Sequence, residues 1–124
     1  MKIPSTYIIA EAGVNHNGSL RIAMKMVEVA AKAGADAIKF QTFQAKELVT
    51  RNTPKASYQK IACPAGKGQL AMLKTLELGE KEHRKLLEHS NKCKIEFIST
   101  PFDVQSLRFL VHLGVRKIKI PSGS

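Results

Sequence analysis

Four short apolar stretches, separated by segments of helical spacing, limit what this chain can fold into. They are Y-I-I-A at 7–10, D-A-I-K-F-Q-T-F at 36–43, I-E-F-I-S at 95–99 and V-R-K-I-K-I at 115–120. After the first, Leu20, Ala23, Met24, Val27, Ala30 and Ala31 fall on one face of a helix that starts at Ser19 and stops at Gly34. A second helix over about 80–93 turns His83, Leu86, Leu87 and Ser90 inward, with Glu80 and Glu82 in the first turn where the helix dipole favours carboxylates. Asp103 is a natural N-cap for a third helix, with Leu107, Leu110 and Val111 inward and Gly114 closing it. A short covering helix is expected at about 69–76. Residues 44–68 read as a long loop with at most a short helical turn, because Thr53-Pro54, Pro64 and A-G-K-G interrupt them. Alternation of strand and helix requires a parallel sheet with right-handed crossovers, here of about four strands.

The stretch at 36–43 carries a lysine in the middle of an apolar strand. Side chains alternate across a strand, so Ala37, Lys39 and Gln41 share one face and Ile38 and Phe40 the other. An ammonium on a confined face is costly unless an anion or a carboxylate meets it. Lys39 therefore either faces such a partner or reaches along the strand to water.

The same parity test gathers the other polar strand residues. Glu11 follows Tyr7 and Ile9, Thr100 follows Glu96 and Ile98, and Lys117 and Lys119 alternate with Ile118 and Ile120. These polar side chains collect on one side, mostly near the C-terminal strand ends, where parallel sheets build their sites. Two lysines with hydroxyl donors and a glutamate at one rim describe an anion site with an acid or base beside it. Spacing alone names no reaction.

The chain has 124 residues, enough for one domain, and 44% of them are hydrophobic, enough for a core. No apolar run approaches the roughly 18 residues of a membrane span, and M-K-I-P-S-T lacks the apolar core of a signal peptide. A formal net charge of +10 raises nucleic acid as a partner. The lysines are spread along the chain, though, and no nucleic-acid-binding motif accompanies them, so none is expected. Cys63 and Cys93 form no C-x-x-C pair and read as bystanders suited to a reducing cytoplasm. His83, His89 and His112 read as packing or surface residues. His16, in N-H-N at the end of the first strand, reads either as packing or as a residue that orients a substrate. No histidine pair has metal-ligand spacing, so no metal ligand is assigned.

Four ordered motifs, I-I-A-E-A-G-V-N-H-N-G at 8–18, G-A-D-A-I-K-F-Q-T-F at 34–43, F-I-S-T-P-F-D at 97–103 and K-I-P-S-G at 119–123, closely resemble the N-terminal part of the bacterial sialic acid synthase family. The match covers nearly the whole chain and is nearer the neuraminate and legionaminate branches than the pseudaminate one. The resemblance implies an α/β fold that is the first half of a TIM (β/α)8 barrel, with helices on the outer face. The remaining strands and a C-terminal antifreeze-like domain would lie outside residues 1–124. It implies condensation of phosphoenolpyruvate with an N-acetylated amino sugar, such as N-acetylmannosamine, to give a nonulosonic acid and phosphate. Matched by motif, Lys39, Thr100, Lys119 and Ser122 would hold phosphoenolpyruvate, and Glu11, Gln41 and Phe102 would line the sugar side. Glu11, Lys39 and Lys119 are the candidate catalytic residues, and His16 joins the candidate binding residues. A divalent manganese or magnesium ion is implied in the intact homodimeric enzyme, with ligands on later strands. Ser124 stands where the family usually has an acidic residue. A half barrel exposes two strand edges, so the alternative is an incomplete barrel that acts only by associating with itself or with its complement.

Overall fold

The computed structural model describes residues 5–51 and 66–123. In chain order these form β1 (Ile9–Gly13), α1 (Leu20–Lys32), β2 (Ala37–Thr42), α2 (Ala45–Arg51), α3 (Gly66–Leu76), α4 (Glu80–Lys92), β3 (Glu96–Pro101) and α5 (Val104–Leu113). The strands pair in parallel in the order β1-β2-β3. Glu11 is in register with Lys39, Lys39 with Ile98, and Gln41 with Thr100. One face of the sheet thus carries Glu11, Lys39, Gln41 and Thr100, as the alternation of side chains requires.

The opposite face holds the core. Ile38, Phe40 and Phe97 pack against Ala23, Val27 and Ala30 of α1, Leu86 of α4 and Leu110 of α5. The rings of Phe40 and Phe97 stack with centroids 5.6 Å apart. Phe40 is fully buried, and burying a side chain of that size contributes about 1.5–3 kcal/mol. Local sequence sets the helix ends. The Ser19 hydroxyl accepts from the Ile22 N–H, and the Asp103 carboxylate accepts from the backbone and hydroxyl of Ser106. Gly114 ends α5 in the left-handed region at φ 94°, where a Cβ would be strained.

A buried polar chain ties β2, β3 and α4 together. His83 Nδ1 lies 2.8 Å from the Gly79 carbonyl oxygen, which only accepts, so Nδ1 carries the proton. Nε2 is therefore the acceptor and takes the Thr42 hydroxyl proton at 2.8 Å. The Thr42 oxygen in turn accepts from the Ser99 hydroxyl at 2.6 Å.

Several sequence expectations change. The fourth strand, expected over 115–120, is an extended segment with one parallel bridge, Ser99 to Ile118, and one bond from the Lys119 N–H to the Ser99 carbonyl. Its alternating pattern reports side-chain faces and not ladder hydrogen bonds. β1 begins at Ile9, not Tyr7, and its start is exposed, with Tyr7, Ile8 and Ile9 all more than two-fifths accessible. Among the described residues it pairs with β2 alone. Within the span read as a loop, 45–51 is a helix. Its first N–H groups are met by remote carboxylates: Asp103 accepts from Gln44 and Glu77 from Ala45. Val111, expected inward, is 62% exposed, and Leu107 is 37% exposed. Only the Ser106–Leu110 stripe of α5 is buried, because a single i, i+4 row meets the neighbouring strand. Cys63, Ser124 and the Pro-containing segment 52–65 lie outside the described residues.

Candidate functional site

A groove of about 940 Å³ opens at the C-terminal ends of the strands. Lys39 and Gln41 reach it from β2, Thr100 from the end of β3, Phe102 from the turn into α5, and Lys119 and Ser122 from the extended segment after α5. Six of the eight residues expected from sequence therefore share one cavity. They converge because parallel strands end at the same level and successive units bring their C-terminal turns side by side.

Glu11 joins by contact. Its carboxylate lies 2.8 Å from Lys39 Nζ, so the ammonium has the partner that its confined position demands. Lys39 is mostly enclosed, with 19% of its side chain exposed, and Glu11 is half exposed. Gly13 sits at an irregularity in the β1–β2 register with φ 55°, and a Cβ there would lie 3.1 Å from Glu11 Oε1 and 3.6 Å from Gln41 Nε2. The glycine keeps that corner open for both polar side chains. Lys119 is exposed and donates to the Ile120 carbonyl at 2.8 Å. Lys117, on the same strand parity, does not line the groove. Its ammonium sits 4.2 Å over the Tyr7 ring, donates to the Tyr7 hydroxyl at 3.2 Å and lies 3.9 Å from Glu96.

His16 stands apart from this group. It is 1% exposed, tilted against Phe40, and its Nδ1 accepts from the Gly18 N–H at 2.9 Å. Its Nε2 is buried with no hydrogen-bond partner among the described residues. Burial lowers the His16 pKa below the usual imidazole range, and nearby His83 lowers it further. Burial also lowers the His83 pKa, with the Gly79 carbonyl, Glu82 and Glu80 pushing back. Both rings are therefore neutral near pH 7.

The α3 side of the groove was not expected to bind anything. Gln69, Met72, Leu73 and Leu76 line the groove from one stripe of α3, joined by Leu48 of α2 and Leu107 of α5. The spacing i, i+3, i+4, i+7 is visible in the sequence, but it reads equally as core cover.

Chemically, the groove combines two ammonium groups and neutral hydroxyl donors with apolar side chains from α2, α3 and α5. Such a site takes a small anion beside a larger, partly apolar or carbohydrate group. Among the described residues no three His, Cys, Asp or Glu side chains gather to hold a metal ion. These residues do not by themselves fit a divalent ion.

A parallel α/β unit with a lysine- and hydroxyl-lined groove at its strand ends is the class these features define. The NeuB family profile matches residues 26–124, and the chain belongs to that family. It is 55% identical over 117 residues to the N,N'-diacetyllegionaminic acid synthase of Legionella pneumophila, covering 94% of this chain and 33% of the relative. It is 50% identical over 118 residues to the synthase of the same name from Campylobacter jejuni, covering 95% and 35%. The fold superposes on an N-acetylneuraminic acid synthetase of Leptospira borgpetersenii in complex with citrate, with TM-score 0.78 and 39% identity over 94% of this chain and 36% of that one. The chain thus spans about a third of the length of the relatives it matches.

Proposed function

We propose that the protein condenses phosphoenolpyruvate with an N-acetylated amino sugar and one water, which adds to the former enol carbon as phosphate leaves, forming a nonulosonic acid and inorganic phosphate. The observation that carries this reading is the convergence of Lys39, Thr100, Lys119 and Ser122 on one groove that also carries apolar side chains. The names of the relatives support it, since the two synthases make a product bearing two N-acetyl groups.

The two ammonium groups bind the carboxylate and phosphate of phosphoenolpyruvate, and the Thr100 and Ser122 hydroxyls add donors to oxygens already charge-balanced. Lys39 releases part of its contact with Glu11 when the anion enters. Glu11, next to the incoming aldehyde, holds or passes a proton as the new C–C bond forms. Gln41 and Phe102 orient the sugar over the enolpyruvate carbon. A divalent metal, manganese or magnesium, would polarise the aldehyde, with ligands from outside this chain.

In this reading the β1-β2-β3 sheet and the 115–120 segment are the opening arc of a (β/α)8 barrel, and the intact enzyme is a cytoplasmic homodimer. The test is phosphate release by the full-length protein, which should require phosphoenolpyruvate, an N-acetylated amino sugar and a divalent metal together. Phosphate release that ignores the sugar would end the reading.

A further inference from the structure

Gln69 is the polar member of the apolar wall, and no sequence motif singles it out. It lies in the first half of α3 and is 2% exposed. Its Oε1 is buried and has no hydrogen-bond partner among the described residues. A buried acceptor without a donor costs free energy, and such groups are rare in folded proteins. Met72 and Leu73, three and four residues on, share its helix face and line the same groove, as do Phe102 and Leu107. The terminal torsion of a glutamine is soft, so a small rotation presents the carbonyl oxygen to the groove.

The chemistry of the missing donor can be narrowed. Phosphoenolpyruvate near neutral pH offers anionic oxygens, which a carbonyl oxygen repels, and its place is the ammonium end. Sugar hydroxyls both donate and accept, and they suit a wet polar rim better than an enclosed apolar wall. One group presents a single N–H next to a methyl: an acylamino substituent. We propose that Gln69 is a specificity-determining residue that accepts the amide N–H of the sugar's N-acyl group, while Met72, Leu73 and Phe102 enclose the acyl methyl.

This rests on the condensation proposed above, and the test separates the two. The full-length enzyme and its Gln69→Leu and Gln69→Glu forms are assayed for phosphate release with N-acetylmannosamine and with mannose, which has a hydroxyl in place of the acetamido group. Gln69→Leu keeps the size and removes the acceptor; Gln69→Glu keeps an acceptor oxygen. The expected result is a rise of about ten- to a hundredfold in KM for N-acetylmannosamine in Gln69→Leu, with most of the preference over mannose lost. The KM for phosphoenolpyruvate should be unchanged, which also shows that the variant folds, and Gln69→Glu should recover most of the preference. An active wild type whose Gln69→Leu form keeps the full preference, or loses both substrates alike, overturns the role of Gln69 and leaves the condensation standing. A wild type inactive with every N-acylated amino sugar overturns both.

Discussion

Lys39 and Glu11 occupy matching positions on β2 and β1, and their side chains meet at 2.8 Å beside the groove that Lys39 lines. An ion pair with a half-exposed partner contributes at most about 1 kcal/mol to folding. The pair therefore does little for stability; in the proposed reaction its role is to hold the Lys39 ammonium ready for the incoming anion.

It follows that Glu11→Gln should change the melting temperature little, consistent with a loss under about 1 kcal/mol. Turnover should fall much more than affinity for phosphoenolpyruvate, since the lysine that binds it remains. Calorimetry and steady-state rates on the full-length protein check both halves. A large drop in melting temperature would show the pair to be structural.

The His83 chain predicts a pH dependence with a definite sign. Burial holds the His83 and His16 pKa values below the ordinary value of about 6.5 that the unfolded chain retains. Above that value both states are neutral and the histidines contribute no slope. Below it the unfolded state binds protons that the folded state refuses, so stability falls as pH drops below about 6.5. His83→Gln, which keeps an acceptor for Thr42, should flatten this fall between pH 7 and pH 5 without abolishing it, because His16 remains. Melting temperature against pH is the measurement, and an unchanged slope would remove His83 from the explanation.

Phe40 lies at the centre of the core, between Phe97 on one side and the His16 ring on the other. Phe40→Ala should cost about 3–5 kcal/mol, because the rigid sheet cannot close over the space. Unfolding by denaturant reads this directly, and a loss near 1 kcal/mol would mean that the core collapses to fill it.

At Gly18 the loop after β1 passes tightly over the end of α3. A Cβ there would lie 2.0 Å from the Thr75 carbonyl oxygen, and φ is 78°. Gly18→Ala should therefore destabilise by more than the 1–2 kcal/mol of left-handed strain alone. Gly34, also at positive φ but with open space around it, is the comparison. Thermal unfolding of the two alanine variants should place Gly18 well below Gly34, and equal shifts would show that the close approach relaxes freely.

Features that depend on neighbouring residues are legible in the sequence, and those that depend on distant ones are not. Ser19, Asp103 and Gly114 mark their helix ends because capping acts over three or four residues. Strand parity brings Lys39, Gln41 and Thr100 to one face because alternation is a property of the chain itself. The start of α2 is silent because Asp103 and Glu77 supply its acceptors from 59 and 32 residues away. His83 can be placed on an inner face, but its bond to Thr42 spans 41 positions and has no local trace. Gln69 looks like any polar residue at the start of a helix until the groove beside it is seen. The 115–120 segment misleads in the other direction, since its alternation is clear and its ladder is nearly absent.

The most direct test of the anion site is initial rate against phosphoenolpyruvate concentration, at saturating amino sugar and metal, for full-length Lys39→Met beside the exposed-helix control Lys32→Met. Loss of one charge-assisted hydrogen bond, about 1.5–3 kcal/mol, predicts a ten- to hundredfold weaker use of phosphoenolpyruvate in Lys39→Met, with use of the sugar much less affected. Lys32→Met should match the wild type. If Lys39→Met tracked Lys32→Met instead, Lys39 would be a strand lysine reaching for water, and the groove would not be the phosphoenolpyruvate site.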